Sequence, residues 1–434
     1  MRLAEGYAEV RLTTVPAMAV DETGLVHGGF VFGLADHAAM LAVNDPNVVL
    51  GAANTRFLRP LRVSGELRRM QGKGAYLWRR HESRRSVLRP YSGRTEGRGM
   101  IIEMLDGVKT ARAPVWFMRQ AGRYMPEYRA LKEKYTFLQL CKTPELAARI
   151  TLQPVKKFGF DAAILFSDIL LPVEAMGLGL DYAPGPVVTP RIARAEDVER
   201  LRVPAAGEFG FIRDAITGIF RDLPRTTDLI GFAGAPFTTA AYLLEGGSKT
   251  GFPAPADAAG SAMFSALMEK VALTVIQFMN AQADAGVRLF QFFDTWAGSI
   301  GPERYSREVL PYAQRTVDAA KSRGLKVIYF FKGGEETARA VSKLKGVDVF
   351  SVDASLPLGE FYDLTGVRSV MQGNLEPEIL LQDRDAIVKG IDMVFESARG
   401  LKGHIFNLGH GVLRTTPEEN VAFAVDYIKK AGEK

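Results

Sequence analysis

Most of the chain repeats one hydrophobic pattern, a short apolar run followed by a polar or glycine-containing turn and then by an amphipathic stretch. From about Met100 onward there are eight such runs, at 114–118, 162–166, 229–233, 287–293, 326–331, 347–352, 368–372 and 404–408. Stretches with helical periodicity lie between them, at 143–157, 259–284, 302–323, 378–397 and 417–431. Eight strand–helix units predict an α/β fold, a (β/α)8 TIM barrel. A doubly wound open sheet would give the same alternation and remains the alternative.

The first 64 residues follow a different pattern, in which a glycine turn precedes an apolar helix and strand-like segments follow it. The stretch "GLVHGGFVFGLADHAAMLAVN" places His27 before this helix and Asp36 on it. It resembles the start of a hotdog-fold acyl thioesterase, which predicts a partial hotdog-like α+β segment over 1–64. So few strands would leave the helix uncovered. We therefore expect turn and cap roles for His27 and Asp36 in place of catalysis.

The chain changes character again at "RRMQGKGAYLWRRHESRRSVLRPYSGRTEGR", residues 68–98. This stretch has no apolar period, and Gly, Ser and Pro are scattered through it, so we predict a disordered Arg-rich linker over 65–99. It holds ten Lys/Arg and two Asp/Glu, so the other residues together carry a net charge of −2 within a total of +6. Because the basic character is confined to one segment, no nucleic-acid partner is predicted.

The composition is that of an ordinary globular protein, with 47% hydrophobic and 24% charged residues among 434. No span is apolar enough over its whole length to suggest a membrane partner, and the N-terminus lacks the apolar core of a signal peptide. The single cysteine, Cys141, excludes an internal disulfide and a cysteine metal cluster. A reducing, cytoplasmic location is the expectation.

Polar residues or glycines follow nearly every predicted strand of residues 100–434. Active sites of (β/α)8 barrels lie at the carboxyl ends of the strands, so these residues would meet at one mouth. In chain order they are Arg119, Gln120 and Arg123, Ser167 and Asp168, Asp294 and Thr295, Lys332, Asp353 and His410. Several such groups converging on one end predict an enzyme.

The first of these positions is the most informative. Arg119 and Arg123 flank Gly122 directly after a buried run, and the planar guanidinium suits carboxylates, so an acidic substrate is predicted. Asp168 is either a site carboxylate or the N-cap of the following helix.

The remaining candidates carry weaker local signals. Tyr242 alone would be a core tyrosine and Thr295 a loop hydroxyl, whereas His410 between two glycines favours a site role. Residues 100–434 contain two histidines, His404 and His410, with no ligand-like spacing and no phosphate-binding glycine loop. We therefore predict a reaction on a polyanionic small molecule without metal or cofactor.

Five ordered motifs in residues 100–434 resemble the uroporphyrinogen decarboxylase family. They are "PVWFMRQAGRYMPEYR", "FSDIL", "GFAGAPFTTAAYLLEGG", "FDTWAG" and "NLGHG". The resemblance implies a barrel, a homodimer, and stepwise decarboxylation of the four acetate side chains of uroporphyrinogen III to give coproporphyrinogen III. It also implies neither metal nor organic cofactor.

The resemblance assigns roles to the motif residues. Arg119 and Arg123, with the backbone of Gln120, Ala121 and Gly122, would hold substrate carboxylates. Asp168 would accept hydrogen bonds from the pyrrole N–H groups, and Tyr242, Thr295 and His410 would complete the pocket. Three positions depart from the family pattern: Thr295 replaces serine, Thr239 replaces leucine, and Lys132 replaces the arginine of some members.

Two other functions compete with this one. A corrinoid-dependent methyltransferase of the same barrel superfamily would need zinc ligands late in the chain, where no cysteine follows Cys141. An acyl-thioester-binding fusion protein would need a complete hotdog sequence at the front. For the decarboxylase, a protonated pyrrole of the substrate is the electron sink and Asp168 stabilises the resulting cation. The proton donor is Arg119, by resemblance, or an arginine-held water or a substrate carboxyl.

Overall fold

The computed structural model describes residues 99–434 except 183–184, 248–252 and the last two, together with four short strands among the first 80 residues. The chain divides into two compact units, Met1–Gly97 and Arg98–Lys434. The second unit contains all eight predicted strand–helix repeats.

Four antiparallel strands are described in the first unit, in the order β1-β2-β3-β4. Their bounds are Arg2–Ala4 (β1), Tyr7–Thr13 (β2), Glu66–Gly72 (β3) and Ala75–Arg80 (β4). The structure here differs from the disordered linker predicted over 65–99, because β3 and β4 fall inside it. Main-chain ladders need no apolar side chains, so a basic sequence can join a sheet. His27, Asp36 and the predicted apolar helix lie outside the described residues.

The second unit is built on a parallel sheet of seven strands whose spatial order follows the chain. The strands are Ala162–Ile164 (β5), Asp228–Gly234 (β8), Leu289–Asp294 (β9), Lys326–Phe331 (β10), Val349–Val352 (β11), Val370–Leu375 (β12) and His404–Leu408 (β13). Gly179–Tyr182 (β6) and Pro186–Thr189 (β7) form a separate antiparallel hairpin. A doubly wound sheet reverses its strand order at a switch point, so this sequential order rules it out. The α/β alternation is confirmed.

The first predicted strand, 114–118, does not form a full ladder. Val115 makes a single parallel bridge to Phe406 of β13, and on its other side its carbonyl accepts the N–H of Asp161 at 2.9 Å. The segment therefore lies between the two edge strands of the sheet. Side chains satisfy its other N–H groups, since Val115 N donates to Asp161 Oδ2 at 2.8 Å and Met118 N donates to Asn407 Oδ1 at 2.9 Å.

Helices cover the outside of the sheet and match the predicted helical stretches. The α-helices are Met100–Leu105, Pro126–Lys132, Phe137–Lys142, Pro144–Phe158, Leu171–Ala175, Ala195–Glu199, Gly210–Asp222, Pro236–Glu245, Pro253–Ala258, Ala262–Asp284, Pro302–Arg304, Leu310–Ser322, Glu335–Val341, Leu358–Thr365, Arg384–Ser397 and Glu418–Ala431. Shorter 3₁₀ segments occur at Ala206–Phe209, Ala297–Ser299 and Pro377–Leu381, and a π-helical turn at Tyr305–Val309 joins two of the helices.

Among the described residues, one helix, Ala262–Asp284, is long and apolar enough to span a membrane, with a mean hydropathy of 1.4 in its most apolar window. It packs against neighbouring helices and β8, and the side chains of Phe264, Leu267 and Phe278 are fully buried. Such packing is typical of a core helix in a globular domain.

The helix Met100–Leu105 covers the amino ends of the strands. Asp228 opens β8, and its Oδ2 accepts the N–H groups of Ile101 and Ile102 at 2.9 and 3.2 Å. Lys326 opens β10, and its Nζ donates to Leu105 O at 3.1 Å and pairs with Asp106 at 2.8 Å. This helix therefore closes the end of the sheet opposite to the predicted site.

Candidate active site

The two arginines lie in a turn that is anchored by a buried glutamine between them. Gln120 is fully buried, and its Nε2 donates to Ala162 O at 3.0 Å while its Oε1 accepts Phe117 N at 3.2 Å. Tyr124 OH donates to Gln120 O at 2.7 Å. Arg119 and Arg123 on either side are exposed. The turn thus presents two cations from a fixed backbone.

Contacts with Arg129 and with the segment that follows β13 hold this turn further. Nη1 of Arg129 donates to the carbonyls of Arg123 and Tyr124 at 3.0 and 2.8 Å. A Cβ on Gly411 would lie 2.3 Å from Cδ of Arg119, so the arginine side chain passes directly over this glycine. Arg119 itself has a φ of 58°, which costs energy in a residue with a Cβ. The glycine after His410 therefore serves the placement of Arg119.

Asp168 follows β5 and is half-buried. Its Oδ1 accepts two hydrogen bonds, from Leu170 N at 2.8 Å and from Tyr182 OH at 2.5 Å. Burial raises the pKa of this carboxyl, while both hydrogen bonds and the charge of Arg119 act in the opposite direction. The N-cap of Leu171–Ala175 is Leu170, so Asp168 forms a local turn and does not cap the helix.

His410 lies at the end of β13 within the field of two cations. Burial and the charges of Arg119 and Lys332 together lower its pKa to about 4. The imidazole is therefore neutral at pH 7. Asp353, after β11, is buried and accepts Ser355 Oγ at 2.6 Å; burial raises the pKa of this carboxyl, and Lys332 opposes that effect. Lys332 adds a positive charge and Asp353 a negative charge at the carboxyl ends of the strands.

Tyr242 and Thr295 belong to the part of the rim formed after β8 and β9. Tyr242 is half-buried on the helix Pro236–Glu245, and its ring lies edge-on to Trp296 at 6.4 Å between centroids. Trp296 N donates to Thr238 Oγ1 at 3.1 Å, and that hydroxyl donates to Asp294 Oδ1 at 2.9 Å. One hydrogen-bonded chain thus fixes the loop that carries Thr295.

Asp294, which the strand-end pattern placed at the mouth, is fully buried and serves this loop. Its Oδ2 accepts the hydroxyls of Tyr305 at 2.6 Å and Tyr329 at 2.9 Å, in addition to Thr238 on Oδ1. Burial raises the pKa of Asp294, and the three hydroxyls counter that effect. The carboxylate is a structural anchor.

The charge of Arg119 acts on both Asp168 and His410, so the side chains that follow β5 and β13 lie near one arginine. Tyr242 packs against Trp296, the residue that follows Thr295 in the chain. Across the described part of Arg98–Lys434, no group of three or more His, Cys, Asp or Glu side chains could hold a metal ion.

Comparison with known proteins decides the family. The family model described as uroporphyrinogen decarboxylase (URO-D) matches residues 98–431. The uroporphyrinogen decarboxylase of Geobacter metallireducens is 44% identical over 337 residues, which is 76% of this chain and 97% of that one. The chain belongs to the uroporphyrinogen decarboxylase family. The Syntrophotalea carbinolica uroporphyrinogen decarboxylase is also 44% identical, over 75% of this chain and 95% of its own.

A solved structure agrees on the fold of this family member. A methyltransferase from Methanosarcina mazei aligns with a TM-score of 0.64 over 76% of this chain and 97% of that one. The two sequences are 19% identical, so the likeness concerns the fold alone. It gives the methyltransferase alternative no support beyond a shared architecture.

Sequence analysis missed Tyr182 at this site. The residue ends β6, 14 positions after Asp168, and lies in neither a family motif nor a strand end of the main sheet. The alternation in "GLDY" and "PVVT" could have indicated a hairpin. Nothing in the sequence indicated that this hairpin would reach the carboxylate.

Proposed function

We propose that this family member removes CO₂ from the four acetate side chains of uroporphyrinogen III and releases coproporphyrinogen III. The observation that carries the proposal is the half-buried carboxylate of Asp168 beside the exposed arginine turn. The carboxylates of an acidic macrocycle would pair with the arginines, and its central N–H groups would donate to Asp168. The curated relatives, which are uroporphyrinogen decarboxylases, support the same reaction.

In this proposal Arg119 and Arg123 bind substrate carboxylates, assisted by backbone groups of Gln120, Ala121 and Gly122. The exposure of both guanidiniums and the rigid anchoring of the turn support this role. A guanidinium grips a carboxylate with two parallel hydrogen bonds, so the pair would orient as well as attract the substrate.

The chemical step needs only the substrate's own ring as electron sink. A proton adds to the electron-rich pyrrole, the C–CO₂⁻ bond breaks, and its electron pair neutralises the cationic ring. The exocyclic carbon then gains a proton and the ring loses one. Asp168, ionised near the ring, stabilises the positive charge when it develops. Arg119 or a water or carboxyl held by it supplies the proton.

Tyr242, Thr295 and His410 complete the proposed pocket. A neutral imidazole offers one donor and one acceptor, so His410 would contact the substrate without adding charge. The hydroxyl of Thr295 replaces that of the serine usual in the family. We also propose closure of the barrel by segment 114–118, a homodimer, a cytoplasmic location and a barrel domain over 100–434.

A turnover experiment tests the proposal. The purified full chain, treated with a chelator and supplied anaerobically with uroporphyrinogen III, should release CO₂ and form coproporphyrinogen III. Chromatography of the oxidised porphyrins would show the intermediates with seven, six and five carboxylates. A strict requirement for added metal, or unchanged substrate, would contradict the proposal.

A further inference from the structure

The hairpin β6–β7 brings a tyrosine onto the carboxylate at the centre of the candidate site. The phenol of Tyr182 donates to Oδ1 of Asp168 at 2.5 Å, a short hydrogen bond. Leu170 N donates to the same oxygen at 2.8 Å. Both donors act on Oδ1, which leaves Oδ2 as the oxygen for a substrate N–H.

Aromatic packing fixes the position of this phenol. The Tyr182 ring lies edge-on to Phe137 with 4.6 Å between centroids, and Phe137 in turn packs against Phe166 at 5.9 Å. Phe137 opens a helix whose N-terminus is held by a reciprocal capping box between Thr136 and Gln139. The ring of Tyr182 therefore has little freedom to leave Asp168.

The hairpin is also pinned to the helix that carries Tyr242. Val187 of β7 pairs with Gly247, and Val188 N donates to Gly246 O at 3.0 Å. Ile192 N donates to Leu243 O at 2.9 Å. Tyr182 thus reaches Asp168 from an element with its own fixed attachment to the barrel.

We propose that Tyr182 is a positioning residue for the decarboxylation, which holds Asp168 with Oδ2 towards the substrate and keeps its carboxylate ionised. The inference rests on the proposed function. A phenol is a donor to the charged carboxylate, and such bonds are among the stronger ones in proteins.

Other charges around Asp168 set the background for its titration. Arg119 favours the ionised form of Asp168. Glu174 and Cys141, which lie on nearby helices, raise the pKa of the Tyr182 hydroxyl. Burial raises the pKa of Cys141 well above its usual range, so this thiol stays neutral. Removing the Tyr182 donor should therefore raise the pKa of Asp168 without altering another charge.

The test compares Tyr182→Phe with Tyr427→Phe in the full chain. Tyr427 OH donates to Asp392 Oδ1 at 2.9 Å on the outer surface, so its loss removes a tyrosine–carboxylate bond away from the site. For Tyr182→Phe we expect kcat to fall about tenfold to a hundredfold, with KM changed less. The acid limb of the kcat–pH profile should move to higher pH. Tyr427→Phe should retain the parent kcat and profile.

A substrate-free measurement separates this inference from the proposed function. The Asp168 carboxyl can be followed by ¹³C NMR with Asp168→Asn as the assignment control, and Tyr182→Phe should shift its titration upwards. That shift in a protein that does not decarboxylate uroporphyrinogen would disprove the function and leave the positioning contact standing. An unshifted titration, or an unchanged kcat and pH profile in a folded Tyr182→Phe protein, would overturn the inference.

Discussion

At the amino ends of the strands, Asp228 and Lys326 are engaged by the helix Met100–Leu105, whereas at the carboxyl ends Arg119 and Arg123 are exposed. Both ends contain charged groups next to a buried core. At the closed end the N–H groups of one helix bind Asp228, and Leu105 O and Asp106 at the end of that helix bind Lys326, which stabilises the fold. At the open end the anchoring is done by Gln120, Tyr124 and Arg129, and the arginines are left for a ligand. The difference separates charges that hold the fold from charges that act on a substrate.

The largest effect should come from the carboxylate at the open end. Asp168→Asn keeps the shape but removes the charge that stabilises the cationic pyrrole, so kcat should fall about 10²- to 10³-fold while KM changes little. Steady-state kinetics with uroporphyrinogen III measures both. Asp392→Asn removes a carboxylate that is bonded to Tyr427 outside the site and should leave kcat unchanged. Near-normal turnover of Asp168→Asn would contradict the electrostatic role.

A smaller effect on activity is expected at the arginine turn. Arg123→Lys keeps the charge but loses the planar fork, so KM should rise about tenfold, the equivalent of one charge-assisted hydrogen bond. Arg399→Lys is the matched control, because Arg399 is exposed and forms an ion pair with Glu396, three residues earlier in the chain. Equal KM values for the two variants would show that Arg123 does not bind the substrate.

The closed end should affect stability and leave activity alone. Asp228→Ala leaves the N–H groups of Ile101 and Ile102 without their acceptor, so the free energy of unfolding should fall by about 1–3 kcal/mol. The kcat per folded molecule should not change. Chemical denaturation measures the loss, and Asp426→Ala, which removes an exposed pair with Lys430, should cost far less.

Removing residues from the N-terminus of the chain tests the same closed end of the sheet. A protein that begins at Met100 retains the closing helix, so it should keep the kcat/KM of the full chain and should be more soluble. A protein that begins at Asp106 lacks the helix and should lose at least the stability lost by Asp228→Ala. Parallel kinetics, light scattering and denaturation compare the three lengths. An inactive or unfolded Met100 protein would show that the front unit supports the barrel.

The smallest effect concerns Thr239, a departure from the family pattern within the helix of Tyr242. Its buried Oγ1 has no hydrogen-bond partner among the described residues, and it lies near Gly234. Thr239→Val removes this unsatisfied hydroxyl and should stabilise the fold by about 1 kcal/mol. Thr217→Val, which removes a satisfied hydroxyl on an exposed helix face, should not stabilise. A destabilised Thr239→Val protein would show that the hydroxyl has a partner in solution.

The hydrophobic pattern alone was enough to predict seven strands of the main sheet and the helices between them. These elements are predictable because burial of an apolar face imposes a local period, and the period can be read in the sequence. The same pattern placed Arg119, Asp168 and His410 at one end of the sheet, since parallel strands all end on the same side.

Only the tertiary structure decided how individual polar groups are used. Segment 114–118 has the apolar pattern of a strand, but it makes a single bridge to β13, and the side chains of Asp161 and Asn407 accept the N–H groups of Val115 and Met118. The strand-end pattern predicts Asp294 as a site carboxylate, but it accepts hydrogen bonds from three hydroxyls of residues distant in the chain. Tyr182 lies in no motif and at no strand end of the main sheet, yet its hydroxyl donates to Asp168. Hydrogen bonds are directional and join residues far apart in the chain, so no local period encodes their partners.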